Sequence, residues 1–398
     1  MSSKSKVVAL AFAAVLIVAG AALYLYPRLT SQSPHLSAGT SFLSSGTIGN
    51  NVGGTWHREF YVTAGADNPI AFLSAYFGLV MPNYTFTVNT LPSNETQYLS
   101  GNSQFSVIGY GESGAVGDIF GATLYLPKAT LATGIYVNLT AKFQNNISVK
   151  LSTGTIGGNQ YTFINFTHNG NVTEGIFSHD GNYFIAFVYA GGTGVSKTGF
   201  VKVMSEEINA LGNGRTVSYP SKLVLPSQAG SALGIGVDSS VYFSANVTNM
   251  SSLIHAFSDI YGSNRTSAGS MAGTAISTQY AGNLTGAGVT VFGNTTRNEI
   301  AVSSFATFRS STYSSSLYEL LNLQFSSNQN FSSTYHSGTI GGKQYFFVSG
   351  NLSANLSAQI SLLVCVDGNS LIVQAVMAPG PMTYTQMTAF ASAQISDI

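Results

Sequence analysis

Charged side chains are scarce in this sequence of 398 residues. Lys and Arg together number 15, as do Asp and Glu, so the formal net charge is zero. Charged residues make up 8% of the chain, whereas an average soluble domain has about 25%. A nucleic-acid-binding protein needs clustered Lys and Arg to displace counterions from phosphates. The composition therefore excludes nucleic acid as a partner and predicts a surface of hydroxyl, amide and backbone groups.

The sequence also lacks the residues of a disulfide framework or a metal site. Its one Cys, Cys365, excludes an internal disulfide and a multi-cysteine metal site. No two of its six His residues have the spacing of a zinc-binding pair, H-x-x-x-H or H-E-x-x-H. We therefore expect no metal and no cofactor. Cys365 lies in the apolar run LLVCV at residues 362–366, which predicts a buried strand position.

One long apolar run, at residues 7–26, contains no charged residue. A helix of about 20 residues is about 30 Å long, which matches the hydrocarbon core of a bilayer. Lys4 and Lys6 precede the run, so the positive-inside rule places the N-terminus in the cytoplasm. The sequence thus predicts a cytoplasmic tail at residues 1–6, a single-pass transmembrane anchor in contact with the lipid bilayer at residues 7–26, and an extracytoplasmic remainder.

A cleaved signal peptide is the alternative interpretation of this run. Ala19, Gly20 and Ala21 would form its small-residue cleavage site. Apolar residues continue beyond that point to Leu25, which favours an uncleaved anchor. Both interpretations export the rest of the chain.

Sequons for N-linked glycosylation, Asn-x-Ser/Thr with x other than Pro, are frequent. They include 14 of the 29 Asn residues. Ser and Thr make up 89 of the 398 residues, so chance would give only about six or seven sequons. The excess favours a glycosylated extracellular surface protein, with a composition like that of archaeal surface proteins. The candidate acceptors are Asn83, Asn94, Asn138, Asn146, Asn165, Asn171, Asn246, Asn249, Asn264, Asn283, Asn294, Asn330, Asn351 and Asn355.

The most informative feature of the remainder is an internal repeat. Residues 152–163 (STGTIGGNQYTF) recur 184 residues later as residues 336–347 (HSGTIGGKQYFF). At the same offset, residues 107–109 match residues 291–293. Matches that extend over such distances indicate one domain present twice.

The repeat predicts how the exported part is organised. Two copies are expected at residues 55–215 and 232–398, joined by a linker at residues 216–231. Residues 27–54 are rich in Ser, Gly and Thr and show no convincing periodicity, which predicts a flexible stalk.

Each copy predicts an α+β domain. Glycine pairs at 157–158 and 341–342, and Asp-Gly at 180–181 and 367–368, predict tight turns between antiparallel strands. Helices are expected at residues 69–76, 131–143 and 198–211 of the first copy and at residues 250–261, 313–323 and 385–398 of the second. We therefore expect an N-terminal transmembrane helix followed by two tandem homologous domains, each an antiparallel sheet with helices on one face.

A glycine-rich segment at residues 191–198 (GGTGVSKT) approaches the pattern of a phosphate-binding loop, G-x-x-x-x-G-K-[ST]. Ser196 stands where that pattern needs Gly, and the second copy has APGPMTYT at residues 378–385, without Lys. We interpret the segment as a turn between a strand and a helix.

The segment WHRE at residues 56–59 combines the one Trp with a His and two charged residues. His suits general acid–base catalysis, but the sequence identifies no partner nucleophile. We therefore interpret the segment as the start of a strand, with Trp56 as its packing residue. No catalytic residue is assigned.

The favoured function is a membrane-anchored, N-glycosylated, extracytoplasmic surface protein with a structural, adhesive or ligand-binding role. Many Tyr and Phe residues with few charges suit contacts with a protein or carbohydrate ligand. One alternative is an exported, acid-adapted hydrolase with a carboxylate pair drawn from Glu112, Asp118, Glu206 and Glu207. Another is a membrane-tethered solute receptor with a pocket between its domains.

Overall fold

The computed structural model describes residues 42–67, 103–113, 117–146, 149–168, 171–212, 222–247, 280, 283–294, 296–297, 299–327, 334–351 and 359–395. These residues fall into two compact units. The first unit holds residues 42–65 and 103–212, and the second unit holds residues 222–395.

Several predicted segments lie outside the described residues. They are the tail at 1–6, the anchor at 7–26 and the helices at 69–76 and 250–261. Among the residues that are described, no helix is long and apolar enough to cross a membrane.

The first unit is built on a sheet of seven strands. Its strand order is β1-β2-β3-β7-β6-β5-β4, and the pairs from β2 to β4 are antiparallel. The elements are α1 (Ser45–Val52), β1 (Trp56–Asp67), β2 (Ser103–Glu112), β3 (Gly117–Tyr125), α2 (Ala129–Gln144), β4 (Lys150–Ile156), β5 (Asn159–His168), β6 (Asn171–Asp180), β7 (Tyr183–Gly191) and α3 (Lys197–Gly212).

The second unit has the same succession of elements. Its strand order, β8-β9-β10-β14-β13-β12-β11, corresponds to that of the first unit strand by strand. This correspondence is what two copies of one domain would give. The elements are α4 (Pro226–Leu233), β8 (Ser239–Val247), β9 (Leu284–Asn294), β10 (Glu299–Phe308), α5 (Ser311–Ser326), β11 (His336–Ile340), β12 (Lys343–Asn351), β13 (Gln359–Asp367), β14 (Ser370–Ala378) and α6 (Tyr384–Ile395).

The fold class predicted from the sequence is wrong, because helices cover both faces of each sheet rather than one. In the second unit, α5 packs on the face that includes Phe346 and Val348 of β12. Helices α4 and α6 pack on the opposite face, which includes Tyr345 and Phe347. Successive side chains of a strand point to opposite faces, and helices bury both sets.

The first unit has the same two layers of helices. Ile164 and Phe177 lie in the apolar cluster beneath α2, whereas Phe163 and Ile176 lie in the cluster beneath α1 and α3. A strand buried on both faces is apolar along its whole length instead of alternating with polar residues. The segment LIVQAVM at residues 371–377 is apolar at every position except Gln374, and it was the sequence signal for a covered second face.

A helix precedes the first strand of each unit, where the sequence predicted a stalk and a linker. Helix α1 begins after the N-cap residue Ser44 and is followed by the C-cap residue Gly53, whose φ is 86°. Its residue Ile48 is fully buried. Helix α4 begins with Pro226 and is followed by the C-cap residue Gly234, whose φ is 68°. Helices of two turns with one or two buried residues are too short for their hydrophobic periodicity to be recognised.

The structure also corrects the register of the repeat. Strands β3 and β10 begin at Gly117 and Glu299, and helices α2 and α5 begin at Ala129 and Ser311. Both pairs are 182 residues apart rather than 184. The match of residues 107–109 to residues 291–293 that was made from the sequence is therefore wrong by two positions. Such a shift keeps every side chain on the same face of its strand, and the apolar pattern therefore does not reveal it.

The repeated segment itself is the hairpin at the end of each sheet. Its paired turn glycines have positive φ in both units. In the first unit Gly154 lies opposite Tyr161, and a Cβ at Gly154 would lie 2.6 Å from that ring. Gly338 and Tyr345 repeat the arrangement, at 2.8 Å from the Tyr oxygen. The need for Gly beneath Tyr explains why the two hairpins are so alike in sequence.

Candidate functional site

A carboxylate holds the glycine-rich segment between β7 and α3. Glu174 of β6 is 6% exposed. Its oxygens accept hydrogen bonds from Asn165 Nδ2 and from the backbone N–H of Val195, both at 2.6 Å. A Cβ at Gly194 would lie 2.9 Å from the same carboxylate, so a glycine is needed there. Burial raises the pKa of Glu174 above its ordinary value, and the two hydrogen bonds partly offset that rise.

This arrangement argues against a phosphate in the loop. The N–H of Val195 already donates to Glu174, whose charge would repel an anion. The Lys197 ammonium lies 5.9 Å from the ring centroid of Phe163, within the range of a cation–π contact. These contacts favour the interpretation of the segment as a structural turn.

The second unit supports the corresponding loop without a carboxylate. Ser361 Oγ accepts a hydrogen bond from the backbone N–H of Met382 at 3.0 Å and lies 3.2 Å from Ser349 Oγ. In the first unit the corresponding positions are those of Asn165 for Ser349, Glu174 for Ser361 and Val195 for Met382. The loop support is therefore repeated, whereas the charge of Glu174 is not required by the fold.

The segment WHRE opens β1, and the structure gives His57 two polar neighbours. Nε2 of His57 lies 3.7 Å from Oε1 of Glu59, which is two residues further along and so on the same face. Nδ1 of His57 lies 3.4 Å from Oγ of Ser113. Trp56 is buried, as predicted for a packing residue, and its Nε1 donates to the carbonyl oxygen of Gly53 at 2.6 Å.

Ser113 is a candidate site residue that no sequence motif indicated. It lies 56 positions from His57 in the chain, and no local motif joins the two. Its backbone N–H donates to the carbonyl oxygen of Thr55 at 2.7 Å, which fixes it beside the start of β1. A Cβ at Gly111 would lie 2.8 Å from Oε1 of Glu59. Gly111 was thus the one sign, at the level of sequence, that side chains from β1 lie across β2.

The carboxylates considered for a hydrolase have unlike surroundings. Glu207 is fully buried on α3. Its neighbour Glu206 is exposed and accepts a hydrogen bond from Asn51 Nδ2 at 3.0 Å. Glu112 lies against Gly54, where a Cβ would be 2.5 Å from Oε1, and Asp118 is half-buried in β3. Consecutive helical residues point in different directions, so Glu206 and Glu207 do not share one environment.

The predicted glycan acceptors differ in exposure. Asn138, Asn146 and Asn246 are exposed. Asn294 is 4% exposed and its Nδ2 donates to Glu299 at 3.3 Å, while the Nδ2 of Asn165 donates to Glu174. Because a glycan is attached to Nδ2, these two residues are unsuitable acceptors. Asn283 is half-buried, and Asn171 and Asn351 lie in β6 and β12. Asn83, Asn94, Asn249, Asn264, Asn330 and Asn355 lie outside the described residues.

Cys365 lies in β13 and is fully buried. Burial raises the pKa of its thiol to about 12, so the reactive thiolate is not formed near neutral pH. Across the described stretches of the chain, no group of three or more His, Cys, Asp or Glu residues is placed to hold a metal ion.

Comparison with known proteins assigns no family. No protein-family model matches the chain, and no curated protein matches it. The extracellular domain of PknH from Mycobacterium tuberculosis aligns with 42% of this chain and 92% of its own, at 12% identity and a TM-score of 0.28. The acyl-CoA thioesterase II TesB2 from Mycobacterium marinum aligns with 66% of this chain and 93% of its own, at 7% identity and a TM-score of 0.10. At these TM-scores neither similarity carries an argument about fold or function.

Proposed function

We propose that this chain is an exported surface protein whose two units form a glycosylated ectodomain with a structural, adhesive or ligand-binding role. The observation that carries the proposal is the exposure of three sequon residues, Asn138, Asn146 and Asn246. In a chain with 8% charged residues, neutral glycans would supply the solvation that ionic groups supply elsewhere.

The comparison of the two units supports a role for architecture rather than for a reaction carried out by both copies. The units share their strand order, their glycine–tyrosine hairpin and their loop support. They differ at the buried carboxylate, because the place of Glu174 is taken by Ser361. A catalytic group that both copies use would have to be present in both, and Glu174 is present only in the first unit.

Glycopeptide mass spectrometry tests the proposed surface location. The full chain, with a C-terminal epitope tag, is produced in a host that glycosylates exported proteins. We expect glycans at Asn138, Asn146 and Asn246 and none at Asn165 and Asn294, whose side-chain nitrogens are engaged. The variant Asn138→Gln should lose the mass of one glycan, whereas Asn294→Gln should change nothing. Absence of glycans from all three exposed sequons would contradict the glycosylated surface.

Export is tested by adding protease to intact cells. We expect the C-terminal tag to be removed, while a cytoplasmic marker protein in the same cells stays intact. A tag that is degraded only after cell lysis would overturn the extracytoplasmic location.

A further inference from the structure

Ser113, His57 and Glu59 form a line of hydroxyl, imidazole and carboxylate at the start of β1. The two distances are 3.4 Å from Ser113 Oγ to His57 Nδ1 and 3.7 Å from His57 Nε2 to Glu59 Oε1. We propose that this line is a hydrolytic site for short-chain carboxylic esters, with Ser113 as nucleophile, His57 as general base and Glu59 as the residue that orients and charge-stabilises the imidazole. This activity goes beyond the structural and binding role proposed above.

The backbone around the three residues holds them in place. The N–H of Ser113 donates to the carbonyl oxygen of Thr55 at 2.7 Å, so Ser113 is tied to the residue that precedes β1. On the other face of β1, the buried Trp56 packs edge-to-face on Tyr189, at 6.5 Å between ring centroids. Because Trp56 is fixed, its neighbour His57 extends from an anchored stretch of backbone.

Gly111 leaves the space that the line requires. A Cβ at this position of β2 would lie 2.8 Å from Oε1 of Glu59 and 3.1 Å from Cε1 of His57. The two side chains therefore lie across β2 at a residue without a side chain. Any other residue there would displace the carboxylate or the imidazole.

The site is open to substrate. The side chain of His57 is 54% exposed and that of Glu59 is 27% exposed, and Ser113 is also exposed. Hydrogen bonds between catalytic groups are often long before substrate binds and shorten in the complex. The distances of 3.4 and 3.7 Å suit such a resting state.

The second unit shows that this strand does not need His57 and Glu59 in order to fold. Strand β8, which has the place of β1, has the sequence SSVYFSANV and contains neither His nor an acidic residue. Because β8 forms without a His or an acidic residue, the fold gives no structural reason for His57 and Glu59 in β1. This contrast separates the line from the contacts that the two units share.

The proposed reaction has two steps. Ser113 Oγ attacks the ester carbonyl carbon while its proton passes to His57 Nδ1, and the imidazolium returns that proton to the alcohol oxygen as the carbon–oxygen bond breaks. Water then attacks the acyl carbon while one of its protons passes to His57 Nδ1. The imidazolium returns that proton to Ser113 Oγ as the bond between the acyl carbon and Oγ breaks, which releases the acid and restores Ser113. Glu59 takes no proton in either step and stabilises the imidazolium through Nε2.

Hydrolysis of p-nitrophenyl acetate by the full chain tests the proposal. We expect Ser113→Ala and His57→Ala each to lower the rate by about tenfold or more, and Glu59→Gln to lower it less. His336→Ala, which removes an exposed His of the second unit, should leave the rate unchanged. Nonspecific catalysis by a surface imidazole would be insensitive to Ser113→Ala, and that result would overturn the proposal.

Covalent labelling provides a second, independent readout. A fluorophosphonate probe should attach to Ser113, as located by peptide mass spectrometry, and labelling should be lost in His57→Ala. Thermal unfolding of each variant should match that of the unaltered protein, because the Ser113 and His57 side chains are exposed. Attachment of the probe at other serines alone, or at none, would overturn the assignment of Ser113.

Discussion

Asn182 and Leu126 hydrogen-bond to each other twice. The backbone N–H of Leu126 donates to the carbonyl oxygen of Asn182 at 2.8 Å, and Nδ2 of Asn182 donates to the carbonyl oxygen of Leu126 at 2.7 Å. Phe308 and Asn369 make the same two bonds, each at 2.8 Å. In each unit these bonds join the Asp-Gly-Asn turn to the end of the neighbouring strand.

Asn182→Ala is expected to lower the free energy of unfolding by about 1–2 kcal/mol, because the carbonyl of Leu126 loses its side-chain donor. Asn369→Ala should have a similar effect in the second unit. Urea unfolding measures both. Asn209→Ala, at an exposed position of α3, is the matched control and should change stability by less than about 0.5 kcal/mol. Equal effects of Asn182→Ala and the control would contradict the role of this bond.

Glu174 is expected to make stability depend on pH. Burial raises its pKa in the folded protein above the ordinary value of 4.5, so the folded protein binds the proton more tightly than the unfolded chain does. The free energy of unfolding should therefore decrease as pH rises from about 4.5 through the folded-state pKa. Chemical unfolding at a series of pH values measures this slope.

The variant Glu174→Gln isolates that contribution. Its neutral amide retains an oxygen to accept the Val195 N–H, and the decrease of stability in this pH range should become smaller. Glu319→Gln, at an exposed position of α5, is the control and should keep the decrease. A slope that is the same in all three proteins would show that Glu174 does not cause it.

Two glycines should respond in opposite directions to the same change. Gly154→Ala places a Cβ 2.6 Å from the Tyr161 ring and should cost about 1–3 kcal/mol. Gly134 lies within α2, and no atom lies within 4 Å of the Cβ that Ala would add. Gly134→Ala should therefore raise stability by about 0.5–1 kcal/mol, because Ala loses less backbone entropy in a helix. Thermal unfolding compares the two variants directly.

The second unit contains a buried pair of amides that should behave as one structural element. Gln374 Nε2 donates to Oε1 of Gln394 at 2.5 Å, and Gln394 Nε2 donates to the carbonyl oxygen of Lys222 at 2.9 Å. Both side chains are fully buried. Gln394→Ala should cost about 1–3 kcal/mol, because it leaves buried polar groups without partners.

A double-mutant cycle tests that coupling. Adding Gln374→Ala to Gln394→Ala should cost less than the sum of the single changes, with an interaction energy of about 0.5–3 kcal/mol. Gln344→Ala, at an exposed position of β12, serves as the uncoupled control. Strict additivity of the buried pair would contradict the idea that it acts as one element.

Features set by neighbouring residues could be predicted from the sequence. The hairpins at Asp180-Gly181 and Asp367-Gly368 are confirmed, with positive φ at both glycines. Turn chemistry of this kind depends on a few adjacent residues, and the strands on either side have recognisable patterns. The closing helix predicted at residues 198–211 lies within α3 for the same reason.

Features that depend on distant pairing could not be predicted in the same way. The covering of both sheet faces depends on which helix returns to which side, although β14, which is apolar at successive positions on both sides of Gln374, indicated it. The approach of Ser113 to His57 depends on β2 lying next to β1 in the sheet. The support of Val195 by Glu174 likewise joins residues 21 positions apart that no short motif connects.

The position of β7 between β3 and β6 has a consequence for how the first unit is made. The centre of this sheet is filled by its final strand, so a growing polypeptide that has not yet reached Tyr183 leaves β3 and β6 with open edges. Until translation supplies that strand, both edges can recruit incorrect partners. The central strand of the sheet is therefore the last strand to be synthesised. A chain truncated before Tyr183 should form aggregates rather than a smaller stable protein.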